Sequence, residues 1–535
     1  MKLKCFFILP LFISAMACSD DSPATPDTPD TPDGPDITNS VEKLVTIDAG
    51  QTFQTMAGFG ASDCWSPAYV GRSWTSSRAG ITELLFSSEI VNGKPKGIGL
   101  SQWRVNLGGG TAQQGEASGL EDKSHRAESY LTDDLTLDWT RCEGQRYFMN
   151  RAKELGCSNF ILFSNTPPVQ YTYNGKGFSA QGGTSNLKPE HYGDFARYMA
   201  DVADHYASEG YNVSHISPVN EPQYNWDSGQ EGSGWTNDEV ARLARELDAA
   251  LSAKGLSTDI LLGESGDWEY LYKTKTDANR SNVLSAFFTP GSTAYVGDLS
   301  HVKNLICGHS YWTDGTWDGM RSVRRQLAQA AERYGVDVWQ SEWSMLGDGY
   351  SSSEFVGYDA ASEMDIALYM SKVIHNDLTV AGVSSWSYWT SIDAPRWGHK
   401  NRFLLISLMP AGGEYGDIEQ EGSYQATATL WVLGNYSRFI RPGYRRIALQ
   451  LNESRSFFGS AWMSPEGDKI VAVYTNLAEK NVRLTETHAG WSGEAKAITT
   501  YTTTGSKNLQ EGTVAAGGQV VLEAGSVTTV VYSLR

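Results

Sequence analysis

Cysteine, histidine and surplus positive charge are all scarce in this chain. Its 535 residues hold 6 Cys and 9 His, and 43 Lys and Arg face 62 Asp and Glu, a formal charge of −19. Nucleic acid is bound largely by cations that neutralise phosphates, so a polyanion is excluded from that class. The same sign excludes a polybasic membrane-surface role. No two cysteines are spaced C-x-x-C and no His or Cys set has ligand spacing, so neither a metal nor any cofactor is expected. No strand-like run leads into G-x-G-x-x-G, and no G-x-S-x-G elbow occurs. Long apolar runs are missing too. The one at the start, Cys5 to Met16, falls short of the ~20 residues that span a bilayer.

That short run follows Lys2 and Lys4, which makes it the core of a signal peptide over residues 1–17. Ala15-Met16-Ala17 fits an ordinary cleavage site. Alternatively Cys18, directly after a small residue, becomes the first mature residue and is lipidated. The second reading is favoured and places the protein on an outer membrane, surface-exposed. The first leaves it secreted or periplasmic. Residues Ser22 to Asp36 repeat Thr-Pro-Asp, so 18–40 reads as an extended tether with nothing apolar to bury. The four later cysteines, Cys64, Cys142, Cys157 and Cys307, are expected as free, buried thiols.

What the chain has in quantity is aromatic residues: 17 Trp, 26 Tyr and 18 Phe. A large core accounts for them; so does a cleft that stacks flat, apolar-faced sugar rings. Hydrophobic residues at 40% and charged ones at 20% are ordinary for a globular protein.

From Met56 to Ser391 short β-branched or aromatic runs alternate with longer helical stretches. Strands are expected at Met56–Ala61, Leu100–Leu107, Asn159–Ser164, His215–Val219, Asp259–Gly263, Asn304–Ser310, Asp337–Ser341 and Gly382–Tyr388. Helices are expected at Glu143–Leu155, Pro189–Ser208, Thr236–Lys254, Asp318–Tyr334 and Ser362–Asn376, with Tyr424–Tyr436 closing the ring. Thr236-x-x-Glu239 reads as a capping box. Eight such units predict an α/β fold, a (β/α)8 TIM barrel over 56–437. Gly108-Gly109-Gly110 lacks a following Lys and helix, so it reads as a tight loop near the site. After Arg438 the pattern turns all-β, a side sandwich over 438–535 to which 41–55 adds a strand.

In such a barrel, catalytic groups project from the C-terminal ends of strands. The fourth run ends Ser217-Pro-Val-Asn220-Glu221-Pro222 and the seventh ends Gln340-Ser341-Glu342-Trp343. The two acids are therefore expected to converge across the barrel mouth. Glycoside hydrolysis needs a carboxylic acid to protonate the leaving oxygen and a carboxylate to attack the sugar carbon; a spacing of ~5–5.5 Å gives retention.

Taken with Gly58-Phe-Gly60-Ala-Ser-Asp63, His309-Ser-Tyr311 and Tyr436-Ser-Arg438-Phe-Ile-Arg441-Pro442-Gly443, these segments resemble glycoside hydrolase family 30, in the same order and over most of the chain. The resemblance implies a retaining β-glycanase with Glu221 as acid/base and Glu342 as nucleophile, and a side sandwich built from both ends of the catalytic region. Asp63 and Trp65 match donor-sugar positions, Arg104 the cation that keeps the nucleophile ionised, and His309 and Tyr311 a pair beside it. Asn165, Asn220, Trp226 and Trp389 complete the expected substrate-binding set; Trp386 faces either site or core. Pro222-Gln-Tyr-Asn-Trp226 with Gln230-Glu-Gly232, and Asn165-Thr-Pro-Pro168, look most like the endo-β-1,6-galactanase branch. Endo-β-1,6-glucanase and xylanase stand as rivals in the family. A non-catalytic surface glycan-binding lipoprotein is the alternative of another class. The expected partner is a β-linked polysaccharide, bound by a monomer that meets the membrane only through its lipid.

Overall fold

The computed structural model describes residues 39–534, apart from 180–181, 347–353, 358, 492–493 and 516. The signal peptide, Cys18 and the tether lie outside the described residues.

Eight parallel strands close a barrel: Gly58–Ser62, Gln102–Asn106, Asn159–Phe163, Val213–Ser217, Asp259–Ser265, Val302–His309, Asp337–Trp343 and Ser385–Tyr388. The eighth pairs with the first in register, Ser385 opposite Gly58 and Tyr388 opposite Ala61. The expected α/β barrel is thus the observed one. Its helices follow the apolar periodicity, and their ends follow local chemistry. Thr236 accepts from the Glu239 backbone N–H at 3.3 Å while Glu239 accepts from the Thr236 N–H at 2.8 Å, so Asn237–Lys254 starts on a capping box. Gly255 ends it at φ +67°, a left-handed conformation that glycine adopts without a Cβ clash.

Two boundaries differ most from expectation. Gly382, taken as strand, has φ +74° and caps a π-turn, Asp377–Ala381; the eighth strand begins at Ser385. Tyr424, taken as helix, lies in a strand, Ser423–Ala426, of a small three-stranded sheet; the last helix is Ala428–Ser437, capped by Thr427. Tyr, Gln and Ala suit either element, and pairing with Ile406–Met409 decides. One helical turn, Thr111–Gln114, does follow the three glycines.

The all-β module is one continuous nine-stranded sheet. Ser40–Thr55 runs through it, antiparallel to Arg445–Leu451 and parallel to Asn481–Ala489. Val45, Ile47, Ala472, Leu484, Leu522 and Tyr532, drawn from both halves of the sheet, share one core. Buried hydrogen bonds tie it to the barrel: Asn435 donates to the Tyr501 carbonyl at 2.8 Å, and Thr529 donates to the Asn435 carbonyl at 2.6 Å. Arg438, in the motif near the last helix, donates to the Gly97 carbonyl at 2.8 Å. That motif therefore braces the approach to the second strand. Cys64, Cys142, Cys157 and Cys307 are buried and unbridged. No described helix is long and apolar enough to cross a membrane.

Candidate active site

Glu221 lies four residues beyond the fourth strand and Glu342 inside the seventh. Each is almost wholly buried, and one oxygen of each carboxylate, with one nitrogen of His309, lies within 4.8 Å of the others. Glu221 has φ +39°, uncommon for a side-chain-bearing residue, and its N–H donates to the Glu264 carbonyl at 2.9 Å. That bond between neighbouring strand ends holds the carboxylate inward.

Two cations serve the pair. Arg104, on the second strand, donates to Glu342 Oε1 at 2.5 Å and to Asn220 Oδ1 at 3.0 Å. Its guanidinium lies 3.7 Å from the centre of the Phe163 ring, which excludes water from one face. His309 Nδ1 is 2.9 Å from Glu221 Oε1 and 3.3 Å from Glu342 Oε2, while its Nε2 is 3.0 Å from Glu264 Oε2. Both ring nitrogens thus face carboxylates. Burial disfavours the imidazolium, but Glu342, Glu221 and Glu264 overcome it and push His309 up to about 10. Tyr311 Oη donates to Glu342 Oε2 at 3.4 Å.

The spacing of Glu221, His309 and Glu342 would also suit a small cation. Arg104 and His309 already supply two positive charges there, and both nitrogens of His309 are bonded to carboxylates. The group reads as an ion-pair cluster.

Glu264, at the end of the fifth strand, was not expected from sequence. It is fully buried, accepts from His309 and from Ser341 Oγ at 2.7 Å, and lies 3.2 Å from Arg104 Nη2. Burial alone would raise it; Arg104, His309 and Ser341 together hold it well below the ordinary carboxylate range. A carboxylate depressed in this way stabilises the fold above its unfolded value, ~4.3, and the contribution drains as pH falls below that. Glu264→Gln leaves two buried cations short of a partner. It is expected to destabilise the barrel by about 3–5 kcal/mol near pH 7, with the gap to wild type narrowing below pH ~4. Urea unfolding at the two pH values checks this.

Burial also raises Glu342, against His309 and Arg104, while Glu221 and Glu264 push with burial. With Arg104 and His309 positive, the three carboxylates Glu221, Glu264 and Glu342 leave one negative charge in excess. One proton held between Glu221 and Glu342 balances it.

On the opposite side of the mouth, Trp65 and Trp389 meet edge to face at 5.3 Å, and His125 lies 4.4 Å from Trp65. The buried Trp65 indole N–H has no acceptor among the described residues. Beneath them Asp63 accepts from the Asn106 N–H at 2.8 Å and from Gln145 at 2.7 Å; burial pushes it up to about 7. Asn165 is buried beside Cys64 and Asn106. Trp226 donates from its indole to the Glu221 carbonyl at 3.1 Å. Glu221, Glu342, Arg104, Asn220, His309, Tyr311, Trp226, Trp65 and Trp389 thus lie around the mouth, while Asp63 and Asn165 sit under its floor and Cys18 lies outside the described residues. Trp386 is core, donating to Asp377 at 2.9 Å, and so is Trp343, which donates to Asp314 at 2.7 Å. Glu231 stands out in the sequence only as the centre of Gln230-Glu-Gly232. It is buried and accepts from the Gly109 N–H at 2.9 Å and Thr111 Oγ1 at 2.6 Å, which fixes the triple-glycine loop.

Comparison with known proteins follows the same lines. An endo-β-1,6-galactanase from Hypocrea rufa is 25% identical over 419 residues, 75% of this chain and 75% of that protein. Glucuronoxylanase XynC from Bacillus subtilis (strain 168) is 25% identical over 365 residues, 66% of this chain and 70% of that one. Among solved structures, a conserved exported protein from Bacteroides fragilis is 30% identical with a TM-score of 0.84, over 91% of this chain and 100% of that one. Residues 42–400 match the model of O-glycosyl hydrolase family 30. A closed parallel barrel, two facing buried carboxylates and that match lead to one conclusion: the chain belongs to O-glycosyl hydrolase family 30 and is a retaining glycoside hydrolase.

Proposed function

We propose that this enzyme cleaves internal β-1,6 linkages of a galactan, with Glu342 as nucleophile and Glu221 as general acid and base. The observation that carries the mechanism is the carboxylate pair, with oxygens within 4.8 Å. An inverting enzyme holds its carboxyl groups ~6.5–9.5 Å apart to admit water between them. Glu342 attacks the anomeric carbon while Glu221 gives its proton to the departing oxygen. Glu221 then takes a proton from the water that releases the sugar. Arg104 bonds Glu342 directly and compensates its negative charge, which suits Glu342 to attack and leaves Glu221 to give the proton. Asn220, fixed by Arg104, is placed for a sugar hydroxyl. Trp65 and Trp389 form the donor-ring wall.

The linkage rests on the Pro222–Trp226 and Asn165–Pro168 segments and on likeness to the Hypocrea rufa galactanase. Incubation with β-1,6-galactan, β-1,6-glucan and xylan side by side tests it. Galactan is expected to shorten to oligosaccharides before monosaccharide accumulates. Faster depolymerisation of glucan or xylan would move the enzyme to another branch. Binding across all three with no new reducing ends would make it a glycan-binding protein. The N-terminal sequence supports export and attachment through a lipid on Cys18, and the similar Bacteroides fragilis protein is itself described as exported.

A further inference from the structure

Trp312 is unusual on two counts. It is 48% exposed in a protein that buries most of its large apolar side chains, and its φ is +53°, rare for a bulky residue. It stands directly after Tyr311, whose hydroxyl reaches Glu342. Its indole lies 5.5 Å from the Tyr311 ring and 6.0 Å from that of Tyr224, and Tyr224 meets Trp226 edge-on at 5.6 Å. Trp226 in turn is tied to the Glu221 carbonyl. An aromatic row therefore runs outward from the carboxylate pair on the loops after the fourth and sixth strands.

Which half of the substrate lies along this row follows from proton transfer. A general acid must stand beside the oxygen that departs. Tyr224 is on the same loop as Glu221. A methyl placed on Gly266 would meet Tyr224 Cε2 at 2.7 Å and Glu221 Oε1 at 3.3 Å, so the ring edge lies within about 6 Å of the acid. The Trp65–Trp389 wall belongs to the first and eighth strands, across the mouth. The rim beyond Tyr224 is polar: Asn225 is exposed and accepts from Arg280 at 3.1 Å. An open indole face with polar groups at its edge matches a pyranose, apolar on one face and hydroxylated around the ring.

We propose that Trp312 and Tyr224 form the platform for the sugar ring on the leaving-group side of the cleaved bond, an inference that rests on Glu221 being the general acid. Such a platform selects for a glycan chain over a monosaccharide derivative and orients the departing hydroxyl toward Glu221. It also receives acceptor sugars, so it governs transfer of the glycosyl group to sugar as against water.

The test compares a substrate that fills the platform with one that cannot. In a glycosyl fluoride the leaving group is a single atom. For Trp312→Ala, kcat/KM on the polysaccharide relative to that on the matching glycosyl fluoride is expected to fall about tenfold or more, with transfer to added oligosaccharide falling alongside. Trp312→Phe, which keeps a flat ring, is expected to recover part of the ratio. An unchanged ratio, or equal loss on both substrates, would overturn the platform. The polysaccharide used is whichever of the three glycans wild type depolymerises, so a wrong linkage does not affect the result. Failure of the underlying assignment is seen separately, as a Glu221→Ala variant whose kcat/KM on the fluoride falls as far as that on the polysaccharide.

Discussion

Glu342→Gln is expected to abolish the covalent glycosyl-enzyme and to lower kcat/KM on polysaccharide by roughly 10⁴ or more, the scale on which loss of a nucleophile acts. The amide keeps the shape of the carboxylate and can still accept from Arg104, which lies 2.5 Å from Oε1 in the native protein. Its NH2 would then face His309 Nδ1 and Tyr311 Oη, both of which reach Oε2. Donor opposes donor there, so His309 turns wholly to Glu221 and Glu264. One buried carboxylate is lost, but Arg104 keeps an oxygen to donate to and His309 keeps two carboxylates, so the fall in activity is chemical. A 2-deoxy-2-fluoro glycosyl fluoride separates the outcomes by mass spectrometry. Wild type gains one sugar on the peptide carrying Glu342, and the variant gains none. Trapping on another residue would move the nucleophile.

The same cluster shows why part of the site was legible in the sequence and part was not. Glu221 and Glu342 announce themselves because an apolar strand ends at each, and Pro222 stops the ladder directly after Glu221. Arg104 and His309 were reached through resemblance. Glu264 carries no such punctuation. Gly263-Glu264-Ser265 resembles any strand end, and the residues that give Glu264 its meaning, Arg104, His309 and Ser341, come from three other strands. Only barrel closure brings them together. Fold class was readable because eight apolar runs recur at regular spacing. The side module was harder. Its strand at Ser40–Thr55 pairs with partners some 400 residues away, and alternation could not show that its nine strands form one sheet. Trp386 was undecidable for a related reason: its partner, Asp377, is held by Arg324 at 2.7 Å in the layer outside the strands.

Glu221→Ala is expected to cut turnover of the natural polysaccharide by about 10²–10⁴ and to spare substrates whose leaving group needs no proton. A dinitrophenyl β-glycoside is such a substrate. Its first step should proceed at near wild-type rate, and the glycosyl-enzyme should then accumulate, because no base remains to activate water. Azide needs no base, so it should restore turnover of that substrate and appear in the product. The geometry adds a constraint that activity alone does not. With the Glu221 side chain removed, His309 Nδ1 faces Glu342 alone, and Arg104 still bonds the other oxygen. Glu342 therefore remains a charged nucleophile, and the variant should still be labelled by the fluorinated inhibitor. Two displacements at the same carbon, the first by Glu342 and the second by azide, return the original configuration, so the rescued product must be the β-glycosyl azide. An α-azide would mean a single displacement, with azide acting where Glu342 stands, and the roles of both carboxylates would have to be reassigned.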